Sequence, residues 1–98
     1  MQLCENLMQN KFIKYLYLRN NNVELVGAEF IAKLILSNKT LIEFDLYNCG
    51  FPEAGGTLIG AALKQNFCIE KLSIGENHIG KKDIETIQLS VVFNTNYN

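Results

Sequence analysis

Apolar residues fall along this chain in two alternating rhythms. The first is a block spaced 3, 2, 3, 2: Ile13, Leu16, Leu18, Asn21 and Val23. A step of 28 residues gives Leu41, Phe44, Leu46, Cys49 and Phe51, and a second step of 28 gives Ile69, Leu72, Ile74, Asn77 and Ile79. Within each block the alternation of Leu16 with Leu18, or Phe44 with Leu46, has the period of a strand with one buried face. The second rhythm follows each block. Gly27, Phe30, Ile31, Leu34 and Ile35 recur at helical spacing, and Gly55, Leu58, Ile59, Ala62 and Leu63 repeat them. One apolar helix face is the expectation for each set.

Each unit therefore predicts a strand followed by a helix. Asn38, Asn66 and Asn94 stand at one phase of the repeat, where an asparagine in the left-handed conformation ends a helix. Pro52 stands near the start of the second helix, where its missing N–H costs nothing. The third unit deviates: Asp83 replaces the glycine, and Thr86 and Ser90 replace apolar residues, while Ile84, Ile87, Val91 and Val92 keep an apolar stripe. Its helix is expected to be present and less well packed. Leu3, Leu7 and Asn10 match Ile31, Ile35 and Asn38, so the chain opens inside a repeat helix.

The pattern LxxLxLxxN/CxL, with its glycine-containing helix and closing asparagine, resembles a leucine-rich repeat of the ribonuclease-inhibitor-like type. The likeness covers residues 13–96. It implies an α/β solenoid, a right-handed β-α superhelix forming a horseshoe segment with its parallel sheet on the concave face. Residues 1–98 then form a single domain, divided into a partial repeat at 1–12 and repeats at 13–40, 41–68 and 69–96. A repeat cannot bury its faces alone, and solenoids need capped ends. Neither end carries a capping segment. The expectation is a fragment of a longer protein, or a short repeat protein that self-associates through its open ends.

Composition narrows the function. The net charge of −1 argues against nucleic acid and anionic membranes, which need a clustered positive excess. Three cysteines, Cys4, Cys49 and Cys68, with no CxxC pair, fit neither a disulfide framework nor a zinc site. With no secretory leader pattern, they predict reduced thiols and an intracellular, cytoplasmic setting. Asn38-Lys39-Thr40 spells a glycosylation sequon, expected to be a chance match. No cofactor and no metal are expected: His78 lacks partners, Gly50, Gly75 and Gly80 are turn glycines, and Lys81 with Lys82 is a solvated pair. Cys49, in the place of Asn21 and Asn77, should point inward and bond to the backbone of its turn.

The informative surface is the strand face turned away from the helices. It should carry Tyr15, Tyr17 and Arg19, then Glu43, Asp45 and Tyr47, then Lys71, Ser73 and Gly75. Parallel strands in register place Arg19 beside Tyr47, Tyr17 beside Asp45, and Glu43 beside Lys71. Tyrosine and arginine are enriched at interface hot spots. The candidate site is therefore Tyr15, Tyr17, Arg19, Glu43, Asp45, Tyr47 and Lys71, and the expected role is a non-enzymatic scaffold that binds another protein. Two alternatives come from the resemblance: an activator of the small GTPase Ran, which would use turn residues such as Arg19, Asn20, Asn21 and Asn22, or a structural subunit of a larger, for example ciliary, assembly.

Overall fold

The computed structural model describes residues 6–97; Leu3 and Cys4 lie outside them. Residues 6–8 are helical. Three strand–helix units follow: β1 (Tyr15–Tyr17) and α1 (Glu24–Ser37), β2 (Glu43–Asp45) and α2 (Glu53–Leu63), β3 (Lys71–Ser73) and α3 (Lys81–Tyr97). The strands form one parallel sheet in the order β1-β2-β3. Tyr15 pairs with Glu43 and Glu43 with Lys71, so the 28-residue spacing of the sequence becomes hydrogen-bonded neighbourhood. Each strand is short, but the ladder continues past it. Leu18 donates to Asp45 and Leu46 to Ser73, both at 2.8 Å.

The core lies between sheet and helices and is driest in the middle unit. Leu41, Phe44, Leu46, Cys49 and Phe51 are fully buried, as are Ile31, Leu34, Ile35 and Ile59. Their counterparts Leu16, Leu72 and Ile74, in the outer units, are only half-buried. The difference is positional: a unit flanked on both sides loses its apolar surface to two neighbours, an end unit to one. The helix glycines let α2 approach both of them. A Cβ on Gly55 would stand 3.1 Å from Ala28 Cβ, and one on Gly56 only 2.7 Å from Ile79 Cγ2. Leu58, expected on the inner face, lies at its margin and is exposed.

The three asparagines at the helix ends do something other than expected. Asn38 has extended geometry, with φ −85° and ψ 130°, and Asn94 lies inside α3. Neither terminates a helix by turning left-handed. All three are buried to within 1%, and a buried amide must find partners. Asn38 Nδ2 donates to the carbonyls of Leu7 and Asn10, both at 3.1 Å, and its Oδ1 accepts from the N–H groups of Thr40 and Leu41. Asn66 does the same one unit later, toward Ile35 and Asn38 and from Cys68 and Ile69. Asn94 Nδ2 reaches Asn66 at 2.9 Å and Ile69 at 2.8 Å. Asn10 opens the series, its Oδ1 accepting from Phe12 and Ile13. The recurrence is thus a ladder that joins units, because the loops between helix and strand have backbone groups with no secondary-structure partner.

The third unit is looser, as its sequence suggests. Ile87 is buried, while Ile84 and Val91 are half-buried. Asp83, in the place of a glycine, accepts a hydrogen bond from Thr57 Oγ1 at 2.7 Å. Pro52 precedes α2 in extended geometry, with φ −78°.

Candidate protein-binding face

The turns after the strands hold the candidate side chains in place. Asn20, Asn48 and Glu76, one per unit, all have positive φ, at 62°, 51° and 56°. Asn48 Nδ2 donates to Asn20 Oδ1 at 3.0 Å. The next residue in each turn bonds back to the backbone through its side chain. Asn21 Nδ2 donates to Leu18 at 2.9 Å. Asn77 Nδ2 donates to Ile74 at 3.0 Å and back to Leu46 at 2.9 Å, while its Oδ1 accepts from Cys49 and Phe51. Cys49 fills the same place with a thiol that donates to the Leu18 carbonyl at 3.2 Å. Burial pushes its pKa up.

These turns fix Arg19 and Tyr47 at the ends of their strands. Arg19 Cζ sits 4.7 Å from the centre of the Tyr47 ring, a cation–π contact, and its Nε lies 3.5 Å from Asp45 Oδ2. Tyr47 in turn lies over Gly75, where a Cβ would stand 3.1 Å from the ring; the missing side chain makes the room. Lys71 Nζ lies 3.8 Å from Glu43 Oε1. The Tyr17 hydroxyl donates to Glu43. That bond, with desolvation second, holds the Tyr17 pKa above its ordinary value.

Sequence and structure agree on the neighbours Arg19 and Tyr47, and Glu43 and Lys71. Tyr17 pairs with Asp45 in register, yet its hydroxyl crosses to Glu43. Asp45 is already engaged, by Arg19 on one oxygen and by the Tyr47 N–H on the other at 3.1 Å. Tyr15 and Tyr17 are 57% and 56% exposed. The face is thus a small aromatic and charged surface carried on a hydrogen-bonded backbone.

His78 and the pair Lys81 and Lys82 are exposed. No group of three or more His, Cys, Asp or Glu among the described residues could hold a metal ion, and no described helix is long and apolar enough to cross a membrane. The sequon asparagine, Asn38, has its Nδ2 committed to two carbonyls in the interior. The asparagine ladder escaped the sequence reading, which took the residues as helix terminators. Its signal was their spacing of 28.

A leucine-rich repeat family model matches residues 9–32 and 65–87. The chain carries leucine-rich repeats. The two matched stretches flank the middle unit, which pairs with both in the same register. Among solved structures the repeat chain is similar to leiomodin-1 actin-binding site 2, with a TM-score of 0.52 and 18% identity over 96% of this chain and 70% of that one. That likeness is one of fold.

Proposed function

We propose that this leucine-rich repeat chain is a protein-binding module, a scaffold without catalysis, whose sheet face docks a partner protein. The finer expectations belong to the same reading: ribonuclease-inhibitor-like repeats, and a right-handed, curved solenoid with this face on its concave side. One observation carries the proposal. Tyr17 and Arg19 are exposed and Tyr47 is half-buried at the surface, and each is already held by a neighbour on a hydrogen-bonded backbone. Little side-chain freedom is then left to lose on docking, and tyrosine offers a large contact area with a hydroxyl that can still hydrogen-bond.

The Ran-activator reading has less support. Asn20, Asn21 and Asn22 would supply its polar turn residues, but all three are engaged within the repeat, the last with Glu24 Oε1 at 2.9 Å. Nothing selects a ciliary assembly. Self-association would use the far side of β3, where Ile74, Ile84 and Val91 are half-buried.

The test is affinity capture with the chain carrying a photo-crosslinking residue at Tyr47 or at Lys33. Actin is a first purified probe, since the leiomodin structure is an actin-binding site. Crosslinking at Tyr47 and not at Lys33 supports the sheet face; the reverse pattern removes it.

A further inference from the structure

The net charge of −1 conceals a separation that only the fold reveals. The loops that lead from helix to strand lie side by side, tied by the asparagine ladder: Asn38 to Asn10, Asn66 to Asn38, and Asn94 to Asn66. Those loops carry Lys11, Lys14, Lys39 and Lys64, all exposed. The two ion pairs of the described residues involve Arg19 with Asp45 and Lys71 with Glu43, so all four lysines stand outside them. Glu70 is the only carboxylate in residues 9–14, 37–42, 64–70 and 94–96. The opposite edge, where strands pass into helices, mixes Glu24, Glu53, Glu76 and Asp83 with Arg19, Lys81 and Lys82.

The same rim presents aromatic rings. Phe12 is 89% exposed and Phe67 55%, and Phe67 meets Phe93 edge-on at 6.2 Å. Two depressions open on this rim. One, of about 360 Å³, runs between α2 and α3 and is lined by Leu63, Lys64, Phe67, Leu89 and Phe93. The other, of about 340 Å³, lies between the first two loops and is lined by Met8, Asn10, Lys11 and Lys39. Lysine at a helix C-terminus is ordinary, because it meets the negative end of the dipole, and Lys39 does donate to the Leu36 carbonyl at 3.2 Å. That accounts for one lysine and for none of the exposed rings.

We propose that this rim is a second docking surface, for an acidic segment of a partner protein. An apolar side chain of the segment fills the groove beside Phe67 and Phe93. Its carboxylates meet Lys64 at the mouth of that groove and Lys11 and Lys39 at the polar recess. Charge complementarity selects the acidic partner, since long-range attraction of this sign steers anionic chains to the edge. The shape selects a polypeptide over a lipid surface: two depressions accept protruding side chains, and a planar headgroup layer has none. The rim is a different surface from the sheet face, so the two can be tested apart.

The experiment uses the folded chain and two labelled synthetic peptides, one of mixed glutamate and leucine, the other with glutamine in place of every glutamate. Binding is read by fluorescence anisotropy at low and high salt. The glutamate peptide is expected to bind about tenfold tighter than the glutamine peptide, and to weaken as salt rises. Lys11→Glu with Lys64→Glu should lose at least about tenfold. Lys81→Glu with Lys82→Glu, an equal charge change on the other edge, should lose less than about twofold, and Tyr17→Ala with Tyr47→Ala should lose nothing. Phe67→Ser should weaken both peptides. Each variant is checked by its melting curve; where the charge reversal lowers it, Lys11→Gln with Lys64→Gln replaces it and should lose about threefold. Equal binding of the two peptides, equal loss from the two lysine pairs, or binding to phosphatidylserine vesicles without binding to the glutamate peptide each overturns the proposal.

Discussion

Asn66 Nδ2 donates to the carbonyl of Ile35, 31 residues earlier in the chain, at 2.9 Å. The same side chain accepts from the N–H of Ile69 at 2.9 Å. One buried amide thus joins the end of one helix, the start of the next strand and the preceding unit.

Asn66→Ala should cost at least about 3 kcal/mol, because it strands several buried backbone groups at about 1–3 kcal/mol each. Asn10→Ala should cost less, since Asn10 is exposed and water can replace its amide. Urea denaturation of the two variants checks the order. Equal losses would mean that the ladder adds nothing beyond a loop bond.

The core makes a graded prediction. Leu46 is fully buried between two flanking units, and Leu46→Ala should cost about 2–5 kcal/mol through lost transfer energy and the cavity left behind. Ile74, its counterpart 28 residues on, is half-buried and should cost clearly less when cut to alanine. Thermal melting gives both numbers. A larger loss at Ile74 would contradict the packing order of the units.

Glu76 occupies a left-handed position, φ 56°, that Asn20 and Asn48 hold in the other turns. Non-glycine residues pay about 1–2 kcal/mol there, and asparagine is among the best tolerated. Glu76→Asn should therefore stabilise the chain by about 0.5–1 kcal/mol, with the new amide placed to extend the bond between Asn48 and Asn20. A melting temperature that falls would show that the glutamate makes a contact worth more than the strain.

Tyr17 should titrate above the ordinary tyrosine value of about 10, because its hydroxyl donates to Glu43. The sign follows from linkage. A group whose pKa is raised by folding stabilises the folded state below its unfolded value, and that contribution is lost as pH climbs through the raised one. Tyr17 is exposed, so the effect on stability is slight and the direct readout is better. Ultraviolet difference titration should show a high-titrating component from Tyr17 that shifts down in Glu43→Gln. An unchanged titration in that variant would remove the bond.

Much of the fold could be read from spacing alone. The 28-residue period named the pairs Leu16 with Phe44 and Phe44 with Leu72. The pairing of Arg19 with Tyr47 followed from the same register. What stayed hidden depends on geometry that spacing does not encode. Asparagine is as much at home in a left-handed turn as in a buried hydrogen-bond network, so Asn38 alone could not reveal its role. The Tyr17 bond to Glu43 is diagonal, and it depends on Asp45 being occupied. The lysine-rich edge was missed although Lys11 and Lys39 share the 28-residue phase, because Lys64 falls outside that phase and net charge averages all three against acids on the other edge.

The most direct measurement compares affinities of one captured partner for four versions of the chain: unmodified, Tyr17→Ala, Tyr47→Ala and Lys33→Ala, by titration calorimetry. Each tyrosine substitution should weaken binding by at least about 1 kcal/mol, since an interface concentrates its energy in a few aromatic and arginine anchors. Lys33→Ala, on the helix side, should change it by less. Unchanged affinity in both tyrosine variants, with loss in Lys33→Ala, would contradict a binding site on the sheet face.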